Sequence, residues 1–208
     1  MMPQKPIGML LLACAMTGCA TQQQTSALEC GAGGAVAAIL LCKLAGGNDK
    51  SCAAIAVGVG AAGGAICYSY ANNIQKRRKE LAAQGDTLSA HLKYLQGVNH
   101  DTEVLNTQLT TQVNSVTKST DQAVDSLAKG QMTQADLTHQ RQALDNQVNA
   151  AQAQVNAVSQ ELQSARQYRA QHAATPSPDM DAEIARLQDL LSQAQRSTSA
   201  LAAQRQRI

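Results

Sequence analysis

Residues 137–165 read LTHQRQALDNQVNAAQAQVNAVSQELQSA, and apolar side chains recur in this stretch at alternating intervals of four and three residues. A seven-residue repeat sustained over four heptads predicts a left-handed coiled coil, because two positions per heptad form one continuous seam along a helix. The spacing puts the following residues on the seam: Leu137, Arg141, Leu144, Val148, Ala151, Val155, Val158, Leu162 and Ala165.

The same rhythm occurs earlier in the chain, so the coiled coil has two arms. Its seam positions are Leu88, Leu92, Leu95, Leu109, Val113, Val116, Thr120, Ala123 and Leu127. We expect a change of register near residues 97–103, because the polar Asn99 falls on the seam.

Gly130, in Lys129-Gly130-Gln131, is the one good turn position between the two arms. The arms are about equally long, each about 60 Å as a helix, and this predicts an antiparallel coiled-coil hairpin over residues 73–174. The alternative is one unbroken rod that oligomerises in parallel.

A third helix is expected in residues 175–208. Thr175-Pro176-Ser177-Pro178 ends the second arm, and Ser177 with Pro178 is a helix-starting pair. The apolar spacing continues beyond it, so this helix is expected to pack along the base of the hairpin.

The composition indicates an elongated, all-α protein. The 208 residues include no Phe or Trp and only four Tyr, so the core must be built from Ala, Val and Leu. Such side chains suit narrow helix–helix seams better than a thick multilayer core. The net charge of +2, without a basic face interleaved with aromatic residues, argues against a nucleic-acid partner.

The first 18 residues have the layout of an export signal, with Lys5 ahead of an apolar core at 7–16. Met16-Thr17-Gly18-Cys19 resembles a bacterial lipobox, which implies lipidation of Cys19 and a polar tether over 19–29. By the same resemblance, Ala20 implies sorting to the outer membrane, with the protein facing the periplasm. The alternative is an ordinary signal peptide followed by a chance cysteine.

Four cysteines would remain after export into an oxidising compartment. If residues 31–45 and 52–70 are helices joined at Gly46-Gly47, the two cysteines of one helix lie about 18 Å or more apart, too far to form a disulfide. The hairpin geometry therefore predicts the disulfides Cys30–Cys67 and Cys42–Cys52. The alternative is free thiols or metal ligands, although no C-x-x-C spacing supports a zinc site.

Small residues recur within the same stretch, at Gly34, Ala38, Ala56, Gly60 and Gly64. This pattern resembles the glycine-zipper segments of bacterial outer-membrane lipoproteins of the 17-kDa surface antigen kind, over residues 30–72 only. The resemblance implies membrane-associated helix packing. The predicted hairpin either enters lipid or packs in water against copies of itself.

A basic cluster follows at Lys76, Arg77, Arg78 and Lys79. Behind an apolar segment, such a cluster is typical of contact with phosphate headgroups. The alternative is an ordinary solvated helix face.

The sequence contains no recognisable catalytic or cofactor motif, and we expect neither an enzyme nor a bound metal. Its histidines, His91, His100, His139 and His172, are scattered without a metal-binding spacing. The expected function is a structural lipoprotein that scaffolds an envelope complex through the coiled coil, with a homo-oligomer or other envelope proteins as partners and no small-molecule substrate. The alternatives are a transport or secretion component that docks through the hairpin tip, and an oligomeric membrane pore.

Overall fold

A computed structural model describes residues 69–208, and this part of the chain is helical without strands. Helix α1 covers residues 69–84, α2 Leu88–Ala128, α3 Gln134–Gln171 and α4 Pro178–Gln206. The predicted all-α class is therefore confirmed for these residues. The predicted lipidation, disulfide and small-residue packing sites lie outside the described residues: Cys19, Cys30, Cys42, Cys52, Cys67, Gly34, Ala38, Ala56, Gly60 and Gly64.

Short polar sequences start α2 and α3. The Thr87 hydroxyl accepts a hydrogen bond from the Ala90 amide, 3.2 Å away, and caps α2. At α3, Thr133 and Asp136 form a capping box, in which each side chain accepts a hydrogen bond from the other residue's amide. These bonds satisfy amides that have no partner in the first helical turn.

Glycine and proline set the helix boundaries between these caps. Gly85 and Gly130 have φ angles of 81° and 67°, in the left-handed region that glycine adopts without strain. Pro178 opens α4, as its sequence position predicts. The Ser177 side chain makes no capping hydrogen bond, because its ψ of 75° departs from the extended geometry of most side-chain caps.

Contacts between side chains give the direction of each helix. Gln112 bonds to Gln147 at 3.2 Å and the ring of His91 stacks on Tyr168, so α2 and α3 run in opposite directions. Asn99 bonds to Glu183, and Asn106 bonds to Leu190 seven residues later. The offset of 84 residues is the same at both points, so α4 runs parallel to α2.

Helix α4 is involved in most of the close contacts between the three long helices. Leu187, Ala194 and Leu201 are fully buried, and α4 packs closely against both α2 and α3, whose own backbones approach each other at fewer places. Buried apolar area is the main favourable term in such packing. The third helix thus joins the other two along its length rather than only at their base.

The seam of α2 keeps its spacing through the region where we expected a change of register. The seam positions continue at intervals of four and three, with Val113 half-buried and the others buried: Leu95, Asn99, Thr102, Asn106, Leu109, Val116, Thr120 and Ala123. The expected register change is therefore wrong. Polar side chains occupy the seam without interrupting it, because Asn99 and Asn106 bond to α4 backbone carbonyls at 2.9 and 3.0 Å.

Helix α3 carries a second column that the seam analysis missed. At seven-residue spacing its members are Gln140, Gln147, Gln154, Glu161 and Tyr168. Four of the five are buried, and the column faces α2. Arg141, which the apolar spacing placed on the seam, is exposed, and Gln140 is buried beside it. The α2–α3 interface is accordingly polar, whereas the contacts with α4 combine buried apolar side chains with hydrogen bonds such as those of Asn99 and Asn106.

Candidate functional site

The predicted basic cluster divides into two pairs of residues on α1. Lys76 and Lys79 are exposed and lie three residues apart on the outer side of the helix. Arg77 and Arg78 reach carboxylates of α2 and α3 instead. Only the two lysines therefore present their charge to the surroundings without a carboxylate partner among the ion pairs found in the described part of the chain.

Arg77 binds Asp101 of α2 through two hydrogen bonds. Its Nε donates to Oδ2 at 2.5 Å and its Nη2 donates to Oδ1 at 3.0 Å. Asp101 is only 7% exposed, so the bidentate pair compensates a carboxylate that is largely removed from water. Hydrogen bonding to Asp101 also raises the pKa of the Arg77 guanidinium above its ordinary value.

Gly97 makes room for this pair. A Cβ atom at Gly97 would lie 2.6 Å from Cζ of Arg77, closer than real contacts allow. Glycine inside a helix costs about 1 kcal/mol relative to alanine. The space that Gly97 leaves for the guanidinium of Arg77 compensates this cost. The glycine, the arginine and the aspartate form one unit across α1 and α2.

Arg78 makes the equivalent link to α3. Its Nη2 donates to Oε1 of Glu161, and the Tyr94 hydroxyl donates to Oε2 of the same carboxylate at 2.6 Å. Glu161 is 3% exposed and belongs to the polar column of α3. Burial and the hydrogen bond to Glu161 raise the pKa of the Tyr94 hydroxyl. The hydroxyl therefore keeps its proton, and donates a hydrogen bond to Glu161, at any physiological pH.

Two further side chains of α1 are buried in the bundle. Tyr70 and Ile74 are 4% and 6% exposed, and the Tyr70 hydroxyl lies 3.3 Å from Oγ1 of Thr102. Burial raises the pKa of the Tyr70 hydroxyl as well. Apolar packing and ion pairs thus act together along about two and a half turns of α1, from Tyr70 to Arg78.

A stack of three rings lies near the same end of α2 and α3. Tyr168 is sandwiched between His91, at a centroid distance of 3.5 Å, and His172, at 4.2 Å. His91 Nε2 also lies 2.8 Å from Oδ1 of Asp86, in the turn between α1 and α2. The structure therefore brings together two of the four histidines that the sequence analysis regarded as scattered.

Sequence reasoning found the basic cluster but missed its partners. Asp101 and Glu161 lie 24 and 83 residues away from their arginines, and no local pattern links them. Two weak signals were present: Glu161 sits at seven-residue spacing from Gln154, and Gly97 stands inside an otherwise strong helix.

Chemically, this cluster of residues links α1 to its two neighbouring helices. Its charged groups are paired with each other across helices. Within residues 69–208, no group of three or more His, Cys, Asp or Glu side chains is placed to hold a metal ion. The helices of the described part are also too short or too polar to cross a membrane.

Comparison of the chain with protein-family models, with curated proteins and with solved structures gives no match, so its own residues carry the functional argument.

Proposed function

We propose that this protein is a structural lipoprotein of the bacterial outer membrane, and that its helical bundle makes protein–protein contacts in an envelope complex. Acyl chains on Cys19 and a disulfide-stapled small-residue hairpin over residues 30–72 form the membrane end. The helices that follow form a periplasmic coiled coil. The lipobox resemblance and the order of anchor, hairpin and stalk support this assignment.

The observation that carries the proposal is the attachment of α1 to α2 and α3 through ion pairs. This helix directly follows the small-residue segment in the chain, and it is held to α2 by Arg77–Asp101 and to α3 by Arg78–Glu161. A helix held to two neighbours by buried carboxylates cannot swivel freely, because breaking either pair leaves an uncompensated charge. The position of the membrane end would then fix the position of the bundle, as a scaffold requires.

The two exposed lysines of α1 are suited to contact with an anionic lipid surface. Lys76 and Lys79 lie on the outer side of α1, and each contributes about 1 kcal/mol of attraction to an anionic lipid surface. Arg77 and Arg78, by contrast, are held by carboxylates inside the bundle. We therefore assign headgroup contact to the lysines and the fastening of α1 to the arginines.

Docking through the hairpin tip is a second candidate, favoured by an exposed apolar patch. Val124 and Leu127 are 40% and 39% exposed, and they lie one helical turn apart near the end of α2. The last residues of α4 reach only as far as Asp121, to which Arg207 bonds at 2.7 Å. The tip beyond Asp121 is therefore the part of the α2–α3 pair that α4 leaves free.

Metabolic labelling with a palmitate analogue tests the anchor. We expect label and membrane fractionation for the wild-type chain, and loss of both in Cys19→Ala. An unlabelled, soluble wild-type protein would remove the basis of the proposal.

A cross-linking experiment tests the coupling between anchor and bundle. A photoreactive residue at Val124 should give a defined cross-linked product in cells, and Arg77→Gln with Arg78→Gln should abolish that product while Cys19 remains lipidated. The matched control is Lys76→Gln with Lys79→Gln, which removes the same charge from the same helix without touching Asp101 or Glu161. A wild-type yield from the arginine double variant would show that the ion pairs do not position the bundle.

A further inference from the structure

A cavity of about 310 Å³ lies where all four described helices meet. Its floor is apolar and largely buried, formed by Leu95 of α2, Ala165 of α3 and Met180 of α4. Leu81 and Ala82 of α1 form part of the rim. Ligand sites in proteins are typically concave, mostly apolar and supplied with a few convergent polar groups, and this cavity has that composition.

The polar wall of the cavity contains charges that cancel. Arg78 and Glu161 both line it and are bonded to each other, so their charges offset one another. A ligand with a net charge would enter a half-enclosed space without a counter-charge, which is costly in a medium less polar than water. The wall therefore favours a ligand whose head is polar but neutral.

Arg78, in the polar wall, also has more N–H groups than its bond to Glu161 uses. A guanidinium carries five N–H groups, and Arg78, whose side chain is 56% exposed, uses Nη2 on Glu161. The Glu161 carboxylate, by contrast, accepts hydrogen bonds on both oxygens. A head group that accepts hydrogen bonds, such as the carbonyl of an amide or ester, fits this arrangement better than one that donates them.

The volume limits the length of the ligand. One water occupies about 30 Å³ in the liquid, and a methylene group is of similar size, so the cavity takes roughly ten heavy atoms. The buried floor of Leu95, Ala165 and Met180 would receive the apolar part of the ligand. Such a ligand is a medium-length acyl chain.

From these features we infer that the cavity binds a neutral acyl amide or ester, with its chain on the Met180 floor and its carbonyl oxygen on Arg78. The inference does not depend on the scaffolding role proposed above. No local sequence pattern indicated this site, because its lining comes from four separate segments of the chain.

Methionine-methyl NMR offers a direct test, since Met132 and Met180 are the two methionines of the described region and only Met180 lines the cavity. The sample is the full chain with Cys19→Ala, so that no acyl group is attached, and the probe is octanamide. We expect a saturable shift of the Met180 methyl resonance and no shift at Met132. Octanoate and octylammonium should bind about tenfold more weakly, because each brings one uncompensated charge.

Ala82→Leu should abolish the octanamide shift by filling the rim of the cavity. Ala82 is exposed, so this change leaves the buried core intact. The matched control is Ala83→Leu, at the neighbouring exposed position that does not line the cavity. Absence of a saturable Met180 shift, parallel shifts of both methionines, or equal affinity for the charged probes would each overturn the inference.

Discussion

The substitution Gly97→Ala should destabilise this protein, although the same change inside most helices is favourable. Alanine is favoured over glycine by about 1 kcal/mol in a helix interior. Here the new methyl group would lie 2.6 Å from Cζ of Arg77, so the guanidinium has to move by about 1 Å to reach an ordinary contact distance. Its hydrogen bonds to Asp101, 2.5 and 3.0 Å long, would then be broken.

The expected cost follows from the burial of the two partners. Losing the cation from a fully buried ion pair costs about 3–5 kcal/mol. Arg77 is 28% exposed and Asp101 7% exposed, so water can partly replace the lost bonds, and we expect about 2–3 kcal/mol. Subtracting the gain in helix propensity leaves a net destabilisation of about 1–2 kcal/mol.

Urea unfolding of four chains tests this reasoning: wild type, Gly97→Ala, Arg77→Ala and the double variant. In the Arg77→Ala background no guanidinium occupies the space beside residue 97, so Gly97→Ala should become stabilising by about 1 kcal/mol. The reversal of sign corresponds to a coupling free energy of about 2–3 kcal/mol. Gln96→Ala, at the neighbouring exposed position, should change stability by less than about 0.5 kcal/mol. The reasoning is refuted if Gly97→Ala has the same sign in both backgrounds.

Three further predictions concern α1 and the start of α3. Arg78→Ala should lower the free energy of unfolding by about 1–2 kcal/mol, because Glu161 would be left buried without its cation. The side chain of Arg78 is 56% exposed, so water partly compensates the loss. Lys79→Ala should change the free energy of unfolding by less than about 0.5 kcal/mol; urea titration distinguishes them, and equal effects would contradict the role of the pair. Thr133→Ala should cost about 1 kcal/mol through loss of the capping box, and an unchanged unfolding midpoint would show that the cap contributes nothing. Hydrogen bonds from Thr133 lower the pKa of Asp136 below its ordinary 3.8, so the contribution of Asp136 to stability is present above that pH and is lost as the pH falls through the lowered pKa. The stability difference between wild type and Asp136→Asn should therefore shrink between about pH 5 and 2. A difference that stays constant would count against the role of Asp136.

The helices could be predicted from the sequence because burial follows a short period. Seam positions such as Leu95, Leu109 and Val116 are apolar and recur at fixed spacing, and the structure buries all three. The same reasoning failed at Asn99, where it expected a change of register, and it did not single out Asn106. Their amides find acceptors on the backbone of a helix 84 residues further along the chain, and seam spacing on one helix cannot reveal such a partner.

The candidate site was harder to predict, because each of its ion pairs joins residues from different helices. The sequence showed four adjacent basic residues, and their charge alone suggested a solvated or lipid-facing surface. The direction in which each side chain leaves the helix separates them, since consecutive residues on a helix point about 100° apart. Arg77 and Arg78 therefore meet different neighbours, α2 and α3 respectively, while Lys76 and Lys79 remain outside.

Apolar contacts stabilise the three long helices of this protein, whereas ion pairs couple the position of α1 to them. Helix α4 carries the fully buried Leu187, Ala194 and Leu201, so burial of apolar area holds the three long helices together. The contacts of α1 instead combine two buried side chains with ion pairs to single carboxylates. Ion pairs depend on distance and orientation, whereas apolar contacts tolerate small shifts. Losing the arginine pairs should therefore loosen α1 while the α2–α3–α4 bundle stays folded, and a protein that scaffolds through its bundle would keep its partner-binding surface but lose the position that the membrane end gives it.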